Sequence, residues 1–93
     1  MNEYKAHIMM GSIGIFVDFV ILYDTDPIVN DIYINDVRVT AVDCDCDTHI
    51  PMEWLSDRGY YEPLRQKILR CVRECADFFE DEIRRARLLG RTP

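Results

Sequence analysis

Ile15 to Tyr23 is a nine-residue run that is apolar throughout except at Asp18. Its β-branched and aromatic side chains (Ile15, Phe16, Val17, Phe19, Val20, Ile21) suit an extended strand. Apolar residues at both parities predict a central strand with both sheet faces largely covered. The wider stretch from Ile8 to Leu22, behind Lys5, superficially imitates a membrane span or leader. It is too short to cross a bilayer and carries Asp18, so it reads as strand, and the chain as cytoplasmic with no membrane contact.

The surrounding pattern predicts an α+β fold. The expected architecture is an antiparallel sheet of three or four strands packed on a long C-terminal helix, with one short helix before it. Glu3 to Met10 forms a first strand, and Gly11 to Gly14 the turn into Ile15–Tyr23. Asp24-Thr25-Asp26-Pro27 ends that strand. Ile28–Ile34 and Val37–Asp43 then read as two strands, with Asn35-Asp36 as a tight hairpin turn. After Ala41 the apolar parity shifts to Val42, Cys44 and Cys46, the mark of a bulge or a strand end. Pro51 opens a short helix through Leu55, and Asp57-Arg58-Gly59 ends it.

From Tyr61 to Leu89 one apolar stripe recurs at helical spacing: Leu64, Ile68, Cys71, Val72, Cys75, Phe79, Ile83 and Ala86. Gly90 and Pro93 close it. An unbroken helix of that length would span roughly 43 Å, longer than a small sheet can cover. Either it breaks near Asp77 or Glu80, or a second copy or partner covers the overhang. The second reading is favoured and puts Phe78 and Leu88 at a homodimer or partner contact. The expected core is Ile15, Val17, Phe19, Ile21, Ile32, Ile34, Val37, Val39, Ile68, Val72, Cys75 and Phe79. Trp54, Tyr60 and Tyr61 are expected to plug its end.

Ninety-three residues make one domain, with an acidic β-sheet half (1–47) and a helical half (50–90). The net charge of −6 is uneven. Residues 1–50 hold Lys5 and Arg38 against eight Asp and one Glu, a net −7, while the rest is nearly balanced. Such a surface disfavours direct nucleic-acid binding, which needs excess positive charge. It favours a basic protein partner, for instance one that itself binds nucleic acid. Asp24, Asp26, Asp31, Asp36, Asp43, Asp45 and Asp47 are the candidate partner-binding residues.

Chemistry-bearing patterns are sparse. Cys44 and Cys46 share one strand face, and Cys71 and Cys75 one helix face, so the four are a candidate Zn site. Neither pair has the C-x-x-C form of a zinc knuckle, and buried reduced cysteines are ordinary small hydrophobes, so no cofactor is the leading expectation. Asp43-Cys44-Asp45-Cys46-Asp47 imitates the opening of a calcium loop, but Thr48 stands where Gly is needed and Trp54 where Glu is needed. His7 and His49 are the only histidines, and neither Ser12 nor Ser56 sits in a nucleophile elbow. A thiol among aspartates is a poor nucleophile. The chain therefore reads as a non-enzyme.

Ile32-Tyr33-Ile34-Asn35-Asp36-Val37-Arg38-Val39-Thr40, then Trp54-Leu55-Ser56-Asp57 and a charged amphipathic helix, resembles small bacteriophage accessory proteins. Those carry a hairpin of the form V-x-V-N-G-V-x-V-T, an L-S-D segment and a terminal helix. The likeness covers about residues 28–85 and departs at Asp36, where such hairpins carry Gly. It implies a protein-binding module that inhibits or modulates a bacterial host or defence protein. The alternatives are a small domain stabilised by a four-cysteine zinc site and a homodimeric structural or chaperone-like module.

Overall fold

The computed structural model describes residues 2–10, 14–29, 31–44 and 48–88. Four strands, β1 (Asn2–Met10), β2 (Ile15–Thr25), β3 (Ile32–Cys44) and β4 (Thr48–Ile50), precede three helices, α1 (Met52–Asp57), α2 (Tyr61–Glu74) and α3 (Ala76–Leu88). The α+β class and the four-stranded antiparallel sheet agree with the sequence. The strands lie in the order β1-β2-β3-β4, each pair antiparallel, so β2 is central as its apolar run requires.

The expected hairpin at Asn35-Asp36 does not exist. β3 runs straight through it, and the β2–β3 reversal falls earlier, at 26–31. Two breaks in register explain the misreading. Leu22 and Tyr23 pair with Asp36 and Ile34, so Asn35 is extra, and Asp18 and Phe19 pair with Ala41 and Val39, so Thr40 is extra. Each bulge flips the parity of the residues beyond it. Ile32 and Ile34, then Val37 and Val39, then Val42 therefore all reach the core face. Both extra residues clasp β2 with their side chains. Asn35 Nδ2 donates to Asp24 Oδ2 at 2.7 Å, and Thr40 Oγ1 donates to the Asp18 carbonyl at 3.1 Å.

The helices cover one face only. Val17, Phe19, Ile21, Tyr23, Val37, Val39 and Val42 pack there against Leu55, Ile68, Leu69, Val72, Phe79 and Ile83. On the other face Met9 and Phe16 stay exposed, so the expectation that β2 is covered on both sides is corrected. Val20 is the exception on that open face. It is 4% exposed and lies between Lys5 and Arg38 in register, two long side chains whose stems can cover a small apolar neighbour.

The single long helix is also corrected. Cys75, at φ −111° and ψ 33°, leaves helical geometry and separates α2 from α3. Two shorter helices thus replace an unbroken rod of about eight turns. Interrupting the rod keeps both Val72 and the Phe79–Ile83 pair on the sheet. The break at Cys75 falls two residues before Asp77 and five before Glu80, the two positions the sequence offers for one. It leaves Cys75 exposed rather than in the core, and Ile15 and Ile34 at the core margin. Gly59, at φ +73°, makes the turn between α1 and α2. Tyr61 packs against the core, but Trp54 and Tyr60 stay at the surface, so two of the three expected plug residues are not plugs. The expected helix closure at Gly90 and Pro93 lies outside the described residues.

Candidate protein-binding surface

The β2–β3 reversal is built by one aspartate. Asp26 Oδ1 accepts the backbone N–H of Ile28 at 2.8 Å and of Val29 at 3.4 Å, and Asp26 N donates to the Asp31 carbonyl at 3.0 Å. Pro27 supports the bend with its fixed φ. This geometry turns two apolar side chains outward: Ile28 is 91% exposed and Val29 58%. Asp24, Asp26 and Asp31 flank them, and among the described residues none of the three is in an ion pair. Tyr33, half exposed, lies opposite Asp24 in register. The tip is therefore an apolar point with an acidic rim.

The seven candidate aspartates do not form one row. Asp36 is taken up inside the fold: its carboxylate pairs with Arg65 of α2 and accepts the N–H of Val37 at 2.8 Å. Asp43 stands toward the far end of β3, where Oδ1 is 3.0 Å from Nδ1 of His49. Ten residues of strand, about 33 Å, separate it from Tyr33. Asp45 and Asp47 lie outside the described residues. The structure thus brings together Asp24, Asp26 and Asp31 with Ile28 and Val29. The apolar run Ile28–Ile34 places Ile28 and Val29 at the start of a strand, and the structure places them at the tip instead. The Asp-Pro pair just before them was the available signal for a tip.

Arg65 ties α2 to the sheet. Besides Asp36 it donates from Nε to Glu62 Oε2 at 3.0 Å. The Arg65 and Gln66 hydrogen bonds hold the Glu62 carboxyl down at about 2 from an ordinary 4.5. A depressed carboxyl contributes stability above its unfolded value and loses it as the pH falls through its folded value. Thermal melts should therefore show a stability contribution present above about pH 4.5 and lost between there and about pH 2. Glu62→Gln should flatten that part of the profile. An identical acid slope in the variant would remove Glu62 as its source.

Of the candidate zinc ligands, Cys44 and Cys71 are half-buried and Cys75 is exposed, while Cys46 lies outside the described residues. Among the described residues no three or more His, Cys, Asp or Glu side chains gather as a metal group. Burial first, then neighbouring Cys75 and Glu74, pushes the Cys71 thiol up, which favours the neutral, unreactive form. Phe78 is 60% exposed and Leu88 87%. A further aromatic patch joins Trp54 and Tyr60, with ring centroids 5.7 Å apart and the Arg58 guanidinium 4.6 Å above the Trp54 ring. Among the described residues no helix is long and apolar enough to cross a membrane. Compared with known proteins, the chain matches no protein-family model, no curated protein and no solved structure.

Proposed function

We propose that this chain is a non-enzymatic binding module that engages a basic protein through the β2–β3 tip, in the manner of a small phage inhibitor of a bacterial host or defence protein. The observation that carries the reading is the exposed Ile28–Val29 pair set among Asp24, Asp26 and Asp31. Exposed apolar residues held by a rigid turn anchor interfaces, and a charged rim sets partner choice and association rate. The phage-type role rests on the sequence resemblance alone.

The test is recovery of a basic protein from bacterial lysate by the immobilised chain. Combined Asp24→Asn, Asp26→Asn and Asp31→Asn should weaken capture tenfold or more and abolish its salt sensitivity. Asn at 26 keeps the oxygen that accepts the two turn N–H groups, so the tip survives. Ile28→Ser with Val29→Ser should weaken capture to a similar degree at any salt. Unchanged capture by both variants would refute the tip as the binding site.

A further inference from the structure

We propose that two copies of this chain pair antiparallel through the outer edge of β1, centred on Ala6, with the two Phe78 rings meeting beneath the joined strands. This surface is separate from the β2–β3 tip, and the inference does not rest on the function assigned to that tip.

β1 ends the sheet order, and its outer side faces no strand among the described residues. On the opposite side the three residues of β4 cover only Val42–Cys44 of β3, and the rest of that edge is broken by the two bulges at Asn35 and Thr40. Short edges and bulges are how proteins limit unwanted pairing. β1 is nine residues long, and its sequence NEYKAHIMM holds neither Pro nor Gly. Its register with β2 is continuous from Asn2 to Met10, so no bulge twists the edge away. An edge of this kind presents a row of unpaired N–H and C=O groups ready for another strand.

The side chains continue the argument. Tyr4, Ala6, Ile8 and Met10 point to the helix side, where each packs on the core margin and stays only partly buried. Below the middle of the strand, Tyr4, Lys5, Ala6 and His7 share a hollow of about 220 Å³ with Phe78, Phe79 and Glu82. Phe79 is buried, edge-on to Phe19 at 6.3 Å, whereas Phe78 is 60% exposed. The exposed ring thus sits beside the centre of the open edge, where a two-fold axis would duplicate it.

Charge and register select a second copy of this chain and fix how it sits. β1 carries one acid, Glu3, and one base, Lys5, so its charge cancels within a chain of net −6. Both acids beside the edge are paired, Glu3 with Arg38 and Glu82 with Arg85, so two acidic chains meet there without bringing unpaired carboxylates together. Antiparallel pairing keeps each face with its like only when the axis passes through a residue position. Through Lys5 it sets Lys5 against itself, which is unfavourable. Through Tyr4 or His7 part of the strand is left unpaired. Through Ala6 all nine residues pair: Tyr4 faces Ile8, Glu3 faces Met9, Lys5 faces His7, and the self-facing residue is the smallest on the strand.

The register is tested by cross-linking. Facing Cα atoms in an antiparallel pair lie about 4.5–5.5 Å apart, within disulfide reach. Under mild oxidation Ala6→Cys should yield a covalent dimer joined through the introduced thiols, identified by peptide mass, while Lys5→Cys and Leu88→Cys should not. Unmodified protein should sediment at twice 11.0 kDa at micromolar concentration. Phe78→Glu should return it to monomer with an unchanged far-UV spectrum, since Phe78 is mostly in solvent. A monomer at every concentration overturns the inference, and so would an edge occupied only by a different protein. A dimer that Ala6→Cys fails to link, or that links through Leu88→Cys, overturns it as well.

Discussion

Phe19→Ala is expected to be the most damaging single truncation in the chain. Phe19 is 1% exposed at the centre of β2, faces Ala6 and Val39 on the flanking strands, and meets the edge of Phe79 from α3. It thus joins three strands to the second half of the helical layer. Removing a buried ring costs about 3–5 kcal/mol, because the cavity collapses only partly. Small domains have only about 5–15 kcal/mol in total. At about 4–8 °C per kcal/mol for a chain of this size, the midpoint should fall by roughly 15–30 °C in a calorimetric or circular-dichroism melt. A fall under about 5 °C would mean that β2 and α3 do not share one core.

Ile83→Ala is the second. Ile83 is 0% exposed and belongs to the same core, so its truncation should cost about 2–5 kcal/mol. The value of this variant is what it separates. If α3 were an overhang awaiting a partner, as the unbroken stripe from Tyr61 to Leu89 suggests, losing Ile83 would change stability by less than about 0.5 kcal/mol. Denaturant melts of Ile83→Ala beside Phe78→Ala make the comparison within one helix. The first should move the midpoint sharply and the second little, apart from any part that depends on protein concentration.

The difference between these two residues shows where the sequence is legible. Helical spacing places Phe79 and Ile83 on the apolar stripe and Phe78 off it, and the structure agrees. The interruption at Cys75 leaves no trace in that spacing. Val72 and Phe79 are seven residues apart, two turns of a straight helix, and no Pro or Gly stands between them. Only the folded structure, in which Val72 and Phe79 both pack on the sheet across the break, displays the interruption. β3 fails for a different reason. Three apolar pairs, Ile32/Ile34, Val37/Val39 and Val42/Cys44, are offset by three residues rather than two. A hairpin and a bulge both produce that offset. Asn35-Asp36 is good turn chemistry, yet here the Asn amide bonds back to Asp24 of the neighbouring strand, which a sequence cannot display.

The candidate site was half legible for a related reason. Charge counting marks every aspartate between 24 and 47 equally. Only the folded arrangement shows that Asp36 neutralises Arg65, that Asp43 stands beside His49, and that Asp24 and Asp26 have bulge and turn partners as well as open surface.

The order of the strands has a consequence for how the chain is made. Every strand pairs with its immediate neighbour in sequence, so each ladder closes over a short connection and the sheet can zip from one end as it leaves the ribosome. Its cover comes late, because Ile68, Leu69, Val72, Phe79 and Ile83 all follow the last strand. Until they emerge, Val17, Phe19, Ile21, Tyr23, Val37 and Val39 form a bare apolar sheet beside the ribosome. Released chains truncated after residue 60 should accordingly be far more chaperone-bound than the full 93-residue chain.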